Sequence, residues 1–342
     1  MWQQYKHSSP TGSRPYFVHT PANYEVGKAV PLIVMLHGCT QSPADFAAGT
    51  QMNRLADEHQ FIVAYPQQAR KNHHFQCWNW YHLANQYRGS GEPAIIAGIV
   101  QDIVKNTAQW TIDTSRIYVA GASAGAAMAV ILGATYPDIF AAIGVHSGVQ
   151  YQAATNQKRA LRAVRKGGPD PVQQGKAAYE AMGRFARVVP TIVFHGSRDH
   201  VVPVINGDLV VQQWMHTNFI ASHEGYNADF RYPSRVTPGQ VPGGRAYTVY
   251  AWNDSDGNEI QQYWKVDRMG HAWSGGHASG SYTDPKGPSA SQAMYRFFMN
   301  HPMPVEEEES KGMSLWENLR RVLSDLFKEK MRSKQRLVQS GR

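Results

Sequence analysis

Cysteine is scarce in this chain: 342 residues hold two, Cys39 and Cys77. They do not make a metal site, because no histidine pair stands at zinc-ligand spacing from them, and His73-His74 reads as a polar loop. Long apolar runs are missing too, and none approaches the length needed to cross a bilayer. The first residues, Met1 to Pro15, are polar and lack the apolar core of a secretory signal. That leaves two readings, a protein kept in the cytoplasm or one whose leader is absent from this sequence. A basic stripe interleaved with aromatics is also lacking. The net charge of +8 comes from scattered lysines and arginines, which argues against a nucleic-acid partner and for a solvated basic surface. What remains, 42% hydrophobic and 18% charged residues, is globular in composition and long enough for one α/β domain with a large core.

The apolar segments are short and alternate in type. Pro31-Leu32-Ile33-Val34-Met35-Leu36 and Phe61-Ile62-Val63-Ala64-Tyr65 read as buried strands, with helical spacing from Met52 to His59 between them. Pro93 opens a helix in which Ile95, Ile96, Ile99, Val100, Ile103 and Val104 recur at steps of three and four. Strands at 116–120, 140–145 and 191–195 follow, then a hairpin of 247–252 and 261–266 around Asn253 to Asn258, and a last helix from Ser289 to Asn300. Such alternation predicts a mostly parallel central sheet with helices on both faces, its functional loops at the carboxyl ends of the strands. Residues 150–189, basic and alanine-rich around Gly167-Gly168-Pro169, break the alternation and read as a small cap insertion. Residues 221–245 read as a long loop.

The most informative pentapeptide is Gly121-Ala122-Ser123-Ala124-Gly125, set between the apolar run 116–120 and an apolar helix from Ala126. Strand, sharp turn on a serine, then helix is the order of a nucleophile elbow, where small neighbours permit a strained turn that exposes Oγ. A serine hydroxyl needs a base, an orienting acid and an oxyanion hole. In the α/β-hydrolase order acid and base follow the serine in sequence. Asp199, in His195-Gly196-Ser197-Arg198-Asp199, and His271, in Met269-Gly270-His271-Ala272-Trp273, each lie just past a predicted strand. Ser123, Asp199 and His271 are therefore the expected triad, with Asp254 or Asp256 next in line as the acid. The rival histidines His146 and His195 end apolar strands and read as structural. The oxyanion donors are expected to be the amides of Ala124 and of Cys39, the latter in the loop His37-Gly38-Cys39-Thr40-Gln41. Trp80, Tyr81 and Trp273 are candidates to line a substrate cleft, since they adjoin these motifs.

These stretches, with Cys77-Trp78-Asn79-Trp80, Gly167 to Pro171, Asn206-Gly207-Asp208, Gly270 to Gly276 and Ser281-Tyr282-Thr283-Asp284-Pro285, resemble the polyhydroxybutyrate depolymerase family of esterases. That lineage also contains feruloyl and acetylxylan esterases. The resemblance spans most of residues 14–301. It implies an α/β-hydrolase fold and a serine esterase without metal or cofactor. The implied substrates are short 3-hydroxyacyl esters, oligomers or polyester, with feruloyl or acetyl groups on plant polysaccharide as the alternative. It also implies a disulfide between Cys39 and Cys77 and an extracellular setting, with the cytoplasm as the alternative. Nothing in the sequence resembles the separate polymer-binding domain of depolymerases that attack solid polymer.

The expected organisation is a catalytic domain over 1–302, an acidic linker over 303–313 carrying Glu306 to Glu309, and an amphipathic helix over 314–336. Ser314 and Glu317 have capping-box form, and Leu315, Leu319, Val322, Leu323, Leu326 and Phe327 share a helical face. Two roles are open to that helix. One is self-association or docking on the protein's own body; the other is attachment to a lipid or polyester surface.

Overall fold

The computed structural model describes residues 1–226 and 228–304; the predicted linker beyond Pro304 and the helix over 314–336 lie outside the described residues. Ten strands form one sheet: β1 (Trp2–Ser9), β2 (Gly12–His19), β3 (Val30–Leu36), β4 (Ile62–Pro66), β5 (Ile112–Ala122), β6 (Ala142–His146), β7 (Thr191–Gly196), β8 (Arg235–Gln240), β9 (Ala246–Asn253) and β10 (Glu259–Val266). Their spatial order is β1-β2-β4-β3-β5-β6-β7-β10-β9-β8. The central run from β4 to β10 is parallel, and the outer strands on each side are antiparallel. The helices are α1 (Pro43–Thr50), α2 (Met52–His59), α3 (Gly91–Lys105), α4 (Ala124–Thr135), α5 (Gln157–Lys166), α6 (Pro171–Met182), α7 (Ile205–Ala221) and α8 (Ala290–Met299).

The pleat divides the core in two. Leu32, Val34 and Leu36 of β3 join the cluster under α3 and α4, whereas Ile33 and Met35 join the cluster under α2 and α8. Both faces of the central strands are thereby covered, which is why they read as unbroken apolar runs. Helix α4, buried at every position, is apolar on all sides and anchors the middle of the sheet.

One segment went without a structural expectation and a second differs from its own. The polar N-terminus forms the hairpin β1–β2 at the sheet margin, its β2 strand burying Arg14, Tyr16 and Val18 in alternation. Arg14 hides this period because it is buried as an ion pair, its Nη2 3.2 Å from Glu92 Oε1, and its Nε donates to Gln68. Within the expected loop 221–245, Arg235–Gln240 pairs with β9 as an exposed edge strand. An edge position accommodates its Pro238. In 150–189, α6 packs against α4 and α7, and α5 against α7. No helix among the described residues is long and apolar enough to cross a membrane.

Candidate functional site

Ser123 stands between β5 and α4 with φ 55° and ψ −117°, a conformation an L-residue adopts only where its surroundings force it. The forcing is visible at Gly125, where a Cβ would lie 2.1 Å from the Leu36 carbonyl oxygen. Helix α4 can press this closely on the end of β3 only through a glycine. The Ser123 amide donates to His146 O at 2.9 Å, tying the elbow to the end of β6.

The Asp199 and His271 loops are fastened to one another. Ser197 N donates to Val266 O at 2.9 Å, Arg198 N to Met269 O at 3.0 Å, and Arg268 N to Ser197 Oγ at 2.8 Å. A Cβ on Gly196 would sit 2.3 Å from Met269 O, so this contact too depends on glycine. The consequence is a 2.7 Å hydrogen bond from His271 Nδ1 to Asp199 Oδ2. Asp199 is buried, and its Oδ1 accepts from the Val201 and Val202 amides at 2.9 and 2.8 Å. Burial pushes its carboxyl up, but the His271 ring and the Val202 amide outweigh burial and hold the pKa below the ordinary value.

Ser123 and His271 line one cavity of about 240 Å³ with Cys39, Phe46, Trp273 and Tyr282. Among the described residues no hydrogen bond links Ser123 Oγ to the His271 ring, a contact that often tightens only around substrate. The structure also separates the rival histidines. His146 Nε2 accepts from Ser274 N at 3.0 Å, and burial lowers its pKa to about 3. His195 Nε2 bonds Val202 O at 2.7 Å and lies 3.6 Å from Asp199, and burial lowers this imidazole as well. Each has a ring nitrogen engaged by backbone, whereas His271 bonds the Asp199 carboxylate through Nδ1 and lines the cavity.

The Cys39 loop is held from several sides. The predicted disulfide to Cys77 is present, with Cα atoms 4.2 Å apart. Gly38 N donates to Gln41 Oε1 at 2.9 Å, Gln41 Nε2 to Asp45 Oδ2 at 3.0 Å, and Thr40 N to Phe75 O at 2.6 Å. Ala124 opens α4, so its amide is one of the first-turn donors that the helix itself cannot use. Trp273 lines the cavity; Trp80 and Tyr81 do not, and Trp80 is buried in the core. Asp254, the alternative acid, is half-buried in the β9–β10 turn, bonded to the Asp256 and Asn258 amides. Sequence reasoning missed the wall residues Phe46, Ser147 and Val201. For Ser147 a signal existed, since it follows a buried strand directly as Ser123 does.

A sheet of this order with a serine elbow and an Asp–His pair on neighbouring loops is the α/β-hydrolase fold. An acetyl xylan esterase from Aspergillus awamori shares it, with a TM-score of 0.67 at 21% identity, over 88% of this chain and 99% of that one. Residues 16–229 match the family described as Esterase PHB depolymerase, and the chain belongs to that family. Poly(3-hydroxyalkanoate) depolymerase C of Paucimonas lemoignei is 32% identical over 262 residues, 76% of this chain and 58% of the relative. Poly(3-hydroxybutyrate) depolymerase of Ralstonia pickettii is 29% identical over 254 residues, 72% and 48% respectively. The chain thus spans about half the length of these curated relatives.

Proposed function

We propose that the protein is a serine carboxylic-ester hydrolase acting on short 3-hydroxyacyl esters or polyhydroxybutyrate-type oligomers. The observation that carries this reading is the 2.7 Å His271–Asp199 bond beside the strained Ser123 elbow, both opening into one cavity. In this reading His271 Nε2 takes the Ser123 proton as Oγ attacks the ester carbonyl, and Asp199 holds the ring with its proton on Nδ1. The Cys39 and Ala124 amides receive the developing oxyanion. His271 then protonates the departing alcohol, and water releases the acyl group by the reverse steps. The 3-hydroxyacyl assignment leans on the two bacterial relatives and on an aromatic-walled cavity, with Trp273 and Phe46 against the acyl chain. The Cys39–Cys77 bond favours an oxidising, extracellular setting.

A fluorophosphonate probe tests the chemistry: labelling should map to Ser123 and vanish in Ser123→Ala, and a protein that is not labelled refutes it. The substrate is tested by rates on hydroxybutyrate trimer, short alkyl esters, methyl ferulate and acetylated xylan. Highest kcat/KM on ferulate or acetylxylan would replace the assignment with the polysaccharide one.

A further inference from the structure

Strands β5 and β6 are paired with Ala122 opposite His146, so Ser123 and Ser147 leave the sheet side by side. Neighbouring strands run about 4.8 Å apart. Ser147 is almost fully buried, lines the same cavity and has φ 53°, a left-handed conformation costly for a serine. Its amide donates to Phe194 O at 2.9 Å, which holds it there.

The fate of its hydroxyl hydrogen follows from counting donors. His146 Nε2 accepts the Ser274 amide proton at 3.0 Å, so the neutral ring carries its own proton on Nδ1. Nδ1 lies 3.1 Å from Ser147 Oγ and must donate to it. Ser147 Oγ is therefore an acceptor in that bond, and its hydrogen is left over. The other cavity hydroxyls are committed. Thr50 donates to Phe46 O at 2.8 Å, Ser281 to Asp45, and Thr283 to His277 O at 3.0 Å. Thr40 donates to Cys39 O at 2.6 Å, which makes it the acceptor for Tyr282, 3.2 Å away. Among the described residues, Ser123 and Ser147 are the cavity hydroxyls with a hydrogen and no protein acceptor.

We propose that Ser147 is a specificity-determining residue whose hydroxyl donates to the oxygen on carbon 3 of a 3-hydroxyacyl group bound at Ser123. The inference rests on the serine-esterase reading above. In the sheet, Cys39 lies on the β3 side of Ser123 and Ser147 on the β6 side, so a carbonyl oxygen turned toward Cys39 leaves the acyl chain free to run past Ser147. The 3-oxygen, three bonds from the carbonyl carbon, is the first polar atom along that chain. A buried donor left without an acceptor is unfavourable, so an acyl group lacking that oxygen is disfavoured as well as less well held.

The experiment compares kcat/KM for p-nitrophenyl 3-hydroxybutyrate and p-nitrophenyl butyrate. In the unmodified protein the hydroxylated ester should be favoured by roughly 2- to 12-fold, the range expected for one hydrogen bond. Ser147→Ala should bring the ratio of the two values close to one. Equal rates in the unmodified protein overturn the proposal without any variant, as does a loss in Ser147→Ala shared equally by both esters. Fluorophosphonate labelling at Ser123 is scored in parallel. Labelling with an unchanged ratio discards the Ser147 role alone, whereas no labelling of the unmodified protein discards the esterase reading beneath it.

Discussion

Replacing both cysteines, Cys39→Ser with Cys77→Ser, separates two effects of the bridge. The bond joins residues 38 apart in sequence. A loop of that size gives about 4 kcal/mol of stabilisation on the chain-entropy account, because the unfolded chain regains the freedom the bridge removed. Both side chains are partly buried, so exchanging sulfur for oxygen adds little to that figure. The melting temperature should drop by roughly 8–16 °C, taking about 2–4 °C per kcal/mol for a large domain. Urea unfolding, fitted with a separate slope for each protein, is the appropriate assay, since an unbridged denatured chain exposes more surface and should steepen the slope. Activity is expected to suffer less than stability. Gly38 N on Gln41 and Thr40 N on Phe75 O still hold the loop carrying the Cys39 amide. An unfolding free energy within about 1 kcal/mol of the parent would refute the entropy argument. Intact stability with kcat reduced as far as in Ser123→Ala would show that the bridge acts by placing the Cys39 amide.

Ser123→Ala should abolish acyl-enzyme formation in a burst assay, and Asp199→Asn should lower kcat by on the order of 10³- to 10⁴-fold, as the orienting acceptor for His271 is lost. Near-parental turnover in either variant would remove that residue from the mechanism. Gly196→Ala sets a Cβ 2.3 Å from Met269 O and should cost about 1–3 kcal/mol in urea unfolding, with reduced kcat as the His271 loop shifts. Unaltered stability and rate would show that the loops are not fastened as described. Stability should also fall with acid: burial lowers His37 to about 4 and His146 to about 3, from an ordinary 6.5. Below pH 6.5 the unfolded chain takes up protons that these buried rings refuse. Each therefore removes about 1.4 kcal/mol per pH unit as pH drops from 6.5 toward 4, and the contribution is intact above 6.5. Asp199, with its pKa lowered, adds its loss only below its ordinary 3.8. A melting temperature flat from pH 7 to pH 4.5 would contradict this.

Much of the site was legible along the chain because its signals are local. A serine between glycines, after a buried strand and before an apolar helix, has one good geometric use, and Asp199 and His271 follow strands in the order that use requires. The sheet was legible for the same reason: strands covered on both faces show as short apolar runs. Elements whose burial depends on distant polar partners were not. The β1–β2 hairpin buries Arg14 against Glu92, and the edge strand β8 borrows its pairing from β9, so neither carries an apolar period of its own. The separation of these three histidines likewise belonged to the tertiary structure. Ser274 N claims His146, Val202 O claims His195, and Asp199 turns to His271. Trp80 and Trp273 looked alike beside their motifs, and both are buried in the core, but of the two Trp273 also lines the cavity. A sequence states which groups can donate and accept; only the folded chain decides which of them are already satisfied, and the uncommitted hydroxyl hydrogen of Ser147 emerges on that ground.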